Sequence, residues 1–357
     1  MQRQKSIEGV WGPSTIESGT SQSAFQPTDK RHSLEFEDMD DFSEQDPVSD
    51  DRSCSSASVL SAVYDSECIH GRYYHGYKLG RYPFPNDEME QQREEIIHAI
   101  MMEIADGRLF YADAGEHPQK IIDIGTGTGT WAIDAADTHP SASVIGTDLS
   151  AIQPTWVPVN LRMFIDDCEE PDWLHGSGFD LIHYRGMAGS VRDFSKLVQK
   201  SYPHVKRGGW IEVQELVPII RCDDESMTAN DPLALFYKAY EAGMRQLGFN
   251  LHTPEDLVEV LKSAGLINVQ CIQHKVPVGG WSEDPKLREI GLLNKAAISA
   301  GLGAMASKPM VALDLSLEHR KSITKYARLS LDNGRVHRYM TCCFVYGQRQ
   351  VSPDGVA

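Results

Sequence analysis

The sequence contains no apolar run approaching the roughly 18 residues that a membrane-crossing helix requires, so no membrane span is expected. Its seven cysteines, at positions 54, 68, 168, 222, 271, 342 and 343, form no C-x-x-C pair and show no zinc-ligand spacing. They read as reduced thiols that serve mostly in packing, and no metal site is expected. Positive charge is also short. Lys and Arg number 34 against 51 Asp and Glu, a formal net charge of −17, and such a surface on average repels a phosphate backbone. Direct nucleic-acid binding is disfavoured, although a local basic groove stays open. The first residues, "MQRQKSIEGVWGPS", hold no continuous apolar segment, so no secretory signal is read and an intracellular location is the default expectation.

What is present suits a globular core: 357 residues, 41% of them hydrophobic, enough for one large or two ordinary domains. The acids are concentrated near the start, where residues 33 to 51 carry nine acids and no Lys or Arg. Such a stretch cannot bury enough apolar area to offset its ordering entropy. Residues 1 to 60 are therefore predicted to be a disordered acidic leader, a solvated tail or a docking segment, and residues 61 to 357 the folded domain.

Asp87 followed by Glu90 resembles a capping box, opening a helix with Ile96, Ile97, Ile100, Met101 and Ile104 on one face. Strands are then expected at 119–125, 142–148, 161–166, 179–184 and 209–216, with helices at 128–138 and 190–206. This alternation implies an α/β fold, a parallel sheet covered by helices, with ligand contacts at the carboxyl ends of the strands. A further helix with Leu235, Phe236, Ala239 and Tyr240 on its face is expected to cover the pocket. A helix capped at Thr253, a strand from 267, a helical stretch over 284–333 and a closing strand "VHRYMTCCFVYGQ" complete the pattern.

The most informative stretch is "IIDIGTGTGTWAID", residues 121 to 134. A strand that breaks into glycines before a helix offers backbone N–H groups and a helix N-terminus to an acceptor-rich ligand. The glycines fall at Gly125, Gly127 and Gly129, whereas a dinucleotide fingerprint would put its third small residue where Thr130 stands. Asp123, at the strand's end, would repel a second phosphate and hold an ammonium group. Asp148 ends the next strand, where an acid accepts both hydroxyls of an unphosphorylated ribose. Ammonium at one acid and ribose at the other describe S-adenosylmethionine, with NAD as the alternative. Thr126 and Leu149 belong to the same two loops and join the expected cofactor contacts.

Further strand ends supply more candidates. Asp166 or Asp167 could accept from an adenine amino group while the Cys168 N–H faces a ring nitrogen, or the two acids could merely end a strand in solvent. Trp131 and Trp173 could flank the cofactor or lie in the core. His183 and Arg185, at the next strand end, stand where a methyl acceptor would approach. His183 reads as a base or as a hydrogen-bonded structural residue, and Arg185 as an anchor for an acceptor carboxylate or the partner of a nearby acid. Glu212, Glu215 and the aromatic run Tyr73, Tyr74, His75 and Tyr77 are further polar sets near the expected pocket.

With these residues in place the chain resembles the class I S-adenosylmethionine methyltransferases, and more closely the fungal LaeA-like family. The likeness is carried by "YPFPNDEMEQQRE", "IDIGTGTGTWAID", "VIGTDLSAIQPTWVP", "FDLIHYRGMAGSVRD", "GGWIEVQE" and "FVYGQ". The resemblance implies a seven-stranded, mostly parallel Rossmann-like domain with helical insertions, and S-adenosylmethionine bound at Asp123 to Gly129 and Asp148. It also implies links to secondary metabolism and development, velvet-type regulatory partners, and a place in the cytoplasm or nucleus. Three functions stay open: a regulatory methyltransferase acting through protein partners, a tailoring enzyme with a small-molecule acceptor, and a catalytically silent scaffold.

Overall fold

A computed structural model describes residues 66–69 and 71–351; the expected leader, residues 1 to 60, lies outside the described residues. The sheet that carries the site has seven strands, β3 (Lys120–Ile124), β4 (Ser143–Asp148), β5 (Leu161–Ile165), β6 (Phe179–Arg185), β7 (Val205–Arg221), β8 (Ile267–Pro277) and β9 (Tyr339–Gln348). Their spatial order is β5-β4-β3-β6-β7-β9-β8. All neighbours from β5 to β7 are parallel, and β9 runs antiparallel between β7 and β8. The central strands are nearly continuous apolar runs because both faces are covered, which is what parallel strands require. The edge strand β5 instead alternates, with Leu161 buried, Arg162 exposed and Phe164 half-exposed.

Alternation across the pleat divides the core into two layers. Ile122, Ile124, Ile182, Tyr184, Ile211 and Val213 point to a layer shared with α3 (Phe194–Ser201) and α5 (Pro254–Ser263). Ile121, Leu181 and Trp210 point the other way, against Trp131, Ala132 and Ala135 of α2 (Thr130–Thr138). Over the carboxyl ends, α1 (Glu88–Ile104), α4 (Pro232–Gln246) and α6 (Pro285–Ala306) contribute residues to the site, while α7 (Lys308–Val311) and α8 (Leu317–Leu331) pack against α4 through Met310, Ala327 and Leu331. Asp87 caps α1 through the Glu90 N–H, and Ile100, Met101 and Ile104 bury against Ile290 of α6 and Phe344 of β9. The start of α4 is tied to the approach of β9 by a buried ion pair, in which Arg338 Nε donates to both oxygens of Asp231 at 3.0 Å.

The structure departs from expectation in four places. The helix expected over 190–206 spans only Phe194–Ser201, because it starts at the Asp193 cap and Pro203 draws the chain into a 3₁₀ turn at Tyr202–His204. β7 is correspondingly longer at both ends than 209–216. The helical stretch after 284 is broken at Ser307 and again at 312–316. A small hairpin, β1 (Ser66–Ile69) with β2 (Arg72–His75), was not anticipated, since strands of four mixed residues carry almost no periodic signal. On α4, Leu235 is 45% exposed, and the buried face is Leu233, Phe236, Tyr237, Tyr240 and Met244.

Candidate active site

β3 brings Asp123 and Ile124 to the carboxyl edge of the sheet, and the chain then turns through three glycines into α2. Each has positive φ: 75° at Gly125, 57° at Gly127 and 86° at Gly129. Neighbours also close in on them. A Cβ at Gly125 would lie 2.0 Å from Met187 Sδ, one at Gly127 2.8 Å from Glu94 Oε2, and one at Gly129 2.6 Å from Met163 Cε. The left-handed backbone is what disfavours a side chain here, and any Cβ would also push aside the flexible ends of Met187, Glu94 or Met163.

The amides of this loop are largely engaged within the fold. Those of Gly125 and Thr126 donate to Thr147 O, that of Gly127 to Asp148 Oδ2 at 2.8 Å, and that of Gly129 to Thr126 O. Few remain for the cradle that a diphosphate needs. Asp123 is only 2% exposed; its Oδ2 accepts from the Thr126 hydroxyl at 2.7 Å, and its Oδ1 lies 2.7 Å from His183 Nδ1. Asp148 also accepts from the Ser150 N–H at 2.8 Å. Burial nevertheless pushes the Asp148 carboxyl up to about 6, the charge of Asp123 adding to the effect.

A cavity of about 310 Å³ opens over these strand ends. Its wall includes Asp123, Gly125, Thr126, Gly127, Asp148, Leu149, Asp166, Asp167, Cys168 and Arg185. Gly129 and His183 are not on it. Gly129 sits behind the turn, where its role is to admit Met163. His183 is fully buried, its ring stacked on Trp131 with centroids 3.6 Å apart and planes 4° from parallel. Burial holds its imidazole below the ordinary histidine range, Asp123 opposing. The expected role of His183 as a base at the methyl acceptor does not fit this geometry: it has no path to the cavity and acts on Asp123 instead.

Asp167 is held by Arg81 at 2.9 Å and Lys78 at 3.2 Å, and Asp166 lies 2.8 Å from His175 Nε2. Those ion pairs pin the segment after β2 over the site. Its Tyr82 and Phe84 form part of the wall. The run from Tyr73 to Tyr77 does not: Tyr73 is 51% exposed, and Tyr74 packs under Lys308 and bonds to Ser307. Trp131 reaches the cavity, whereas Trp173 stacks on His204 away from it.

Tyr240 of α4, expected on the helix over the pocket, is on the wall, but other wall residues carried no signal of it in the sequence: Glu90, Arg93, Glu94 and His98 on α1, Met187 in the loop after β6, Tyr237 on α4, and Asn294 on α6. Glu94 faces Gly127 beside Asp148, and burial together with the neighbouring Glu90 pushes it up to about 8. Glu215 is also on the wall, accepts from the Ala188 N–H at 2.7 Å, and is pushed up to about 7 by burial. Glu212 lies beneath instead, accepting from the Tyr111 and Ala112 N–H groups. Acids thus outnumber arginines around the cavity, which favours a cation and repels a diphosphate.

A sheet of this order with one antiparallel strand, a glycine turn, and an acid at each of two adjacent strand ends together define a class I S-adenosylmethionine-dependent methyltransferase. Asp123, the glycine turn and Asp148 suit the cofactor's charged amino-acid end and its ribose. A model of the methyltransferase-domain family matches residues 93–271. The chain belongs to the fungal LaeA-like family of these enzymes. It is 37% identical over 265 residues to methyltransferase pytC of Aspergillus terreus, a match that covers 74% of this chain and 82% of the relative. It is 36% identical to the secondary metabolism regulator LAE1 of Cochliobolus heterostrophus, covering 76% and 90%. With the secondary metabolism regulator laeA of Aspergillus fumigatus it shares 33% identity, over 76% and 73%. Among solved structures, phosphoethanolamine N-methyltransferase 2 of Haemonchus contortus has a TM-score of 0.41 and 18% identity, covering 72% of this chain and 53% of that one.

Proposed function

We propose that the chain methylates a hydroxyl or amine of a small, largely apolar molecule of secondary metabolism. The observation that carries this reading is the apolar and aromatic part of the cavity's wall. Tyr82, Phe84, Tyr237, Tyr240, Ile298 and Met305 line the same cavity as the glycine turn, and Glu215 lines it with them. Such a wall suits a compact apolar ligand with few polar groups. The cofactor, when bound, supplies an electrophilic methyl group on a sulfonium. The chain's residues do the rest: the aromatic wall excludes water and aligns the acceptor, and Glu215 takes its proton. With the acceptor so aligned and its proton held at Glu215, the protein's part in a methyl transfer is positioning and proton removal.

A pKa of about 7 leaves Glu215 partly ionised at neutral pH, as a general base requires. Labelled S-adenosylmethionine incubated with the purified chain and a metabolite extract should yield one labelled small molecule. Glu215→Gln should slow its formation by about a hundredfold while leaving cofactor affinity unchanged. Full turnover in that variant would remove Glu215 from the mechanism, and label appearing only in protein would refute the small-molecule reading.

A second reading rests on the relatives named as regulators of secondary metabolism. In it the enzyme works in the nucleus or cytoplasm with velvet-type protein partners. A deletion strain that loses many unrelated metabolites, together with co-purification of such a partner, supports regulation. Accumulation of one demethylated precursor supports the small-molecule acceptor.

A further inference from the structure

Arg185 leaves the end of β6 and enters the cavity beside the glycine turn. Its Nε and Nη2 both donate to Gln214 Oε1, at 3.0 and 2.6 Å, and its Nη1 donates to His98 Nδ1 at 2.8 Å. Both partners are neutral and both are fixed from behind. The Gln214 amide donates to Leu109 O and Glu212, and His98 Nε2 faces Asp134 at 3.1 Å, which leaves Nδ1 as the accepting nitrogen. Among the described residues no carboxylate forms a salt bridge with Arg185. A guanidinium has five N–H donors, so these three contacts leave one on each terminal nitrogen, the fork that a carboxylate spans. Burial pulls the group down to about 10, with Asp123 opposing, so it stays charged at neutral pH.

A half-buried cation whose hydrogen-bond partners are neutral, with Asp123, Glu212 and Asp134 acting on it only at a distance, still gains from an anion in direct contact. The strand register identifies that anion. Asp123 pairs with His183 and Ile124 with Tyr184, so Arg185 falls beside Gly125, two residues beyond the acid that suits an ammonium group. We propose that Arg185 binds the α-carboxylate of the cofactor's methionyl end while Asp123 holds its ammonium, so that the two residues together read the amino-acid zwitterion. Arg185 then belongs to the cofactor and not to the acceptor. His98 and Gln214 are positioning residues that aim it.

The inference rests on the cofactor assigned above and is tested by binding alone. Calorimetry would compare S-adenosylmethionine with its decarboxylated analogue, which keeps the sulfonium and the amine, for the wild type and for Arg185→Met. The wild type should prefer the intact cofactor by about tenfold or more, the range of a charge-assisted hydrogen-bonded pair. Arg185→Met should bind the analogue as the wild type does and show almost no preference. If that variant does not fold, Arg185→Lys, which keeps the charge without the fork, should cut the preference severalfold. A preference unchanged in the variant tested, an equal loss for both ligands, or no preference in the wild type overturns the proposal. Failure of the wild type to bind either ligand would count against the cofactor itself.

Discussion

Replacing His183 separates two roles for a histidine at this strand end. The imidazole lies 2.7 Å from Asp123 Oδ1, is fully buried, and stacks on Trp131. Facing a carboxylate, Nδ1 carries the proton and donates it. Removing the ring leaves Asp123 with only the Thr126 hydroxyl, and loss of a hydrogen bond to a charged group costs about 1.5–3 kcal/mol. Part of that loss falls on the fold and part on the cofactor, whose ammonium needs Asp123 ionised and correctly turned. His183→Ala should therefore weaken cofactor binding by about tenfold or more, where each tenfold is about 1.4 kcal/mol. His183→Asn, whose amide nitrogen can take the place of Nδ1, should restore most of the affinity. Isothermal calorimetry with S-adenosylhomocysteine measures both variants without needing an acceptor. If His183→Ala binds as the wild type does while turnover on an identified acceptor falls a hundredfold, the buried-support argument is wrong and the histidine reaches the reacting atoms.

Cofactor affinity should rise with pH. Glu94 at about 8 and Asp148 at about 6 hold protons in the empty site that a cationic ligand displaces, so binding is weakest below both values and levels off above them. Calorimetry across that range checks this; Glu94→Gln should flatten the upper part, and an affinity independent of pH would refute it. Gly127→Val should abolish binding, because a β-branched residue at φ 57° is strained and its Cβ would meet the Glu94 carboxylate; wild-type affinity in that variant would show that the turn can rearrange. Asp231→Ala strands the buried Arg338 guanidinium and should lower stability by about 3–5 kcal/mol, read from the midpoint of urea unfolding; a change under about 1 kcal/mol would show that the pair contributes little.

The centre of the sheet was legible because β3, β4 and β6, covered on both faces, are apolar runs closed by Gly or Asp. The losses have local causes. Pro203 stops a helix that periodicity alone would extend, and residues 186–190, which carry almost no periodic signal, are the loop that sets Met187 against Gly125 and Ala188 against Glu215. On α1 the apolar stripe through Ile97 and Met101 was visible. The adjoining polar stripe, Glu90, Glu94 and His98, keeps the same four-residue spacing and turns toward the cavity. That spacing was available in the sequence, but nothing in the sequence says which side of an amphipathic helix faces a neighbouring strand end.

The histidine and the arginine show what a strand-end argument can and cannot decide. Residues two apart on a strand share a face, so His183 and Arg185 point the same way, and sequence alone treats them alike. Their depth separates them. His183, two residues further in, meets Asp123 across the β3–β6 pairing and is sealed by Trp131, which α2 delivers because the glycine turn begins that helix beside it. Arg185 lies level with Gly125, past the last strand pair, where the sheet gives way to the cavity. Two residues of register therefore make the histidine a support for the acid and leave the guanidinium with two free donors. The acid, the cation and the glycine turn between them have the charge order of an amino acid, not that of a dinucleotide's diphosphate.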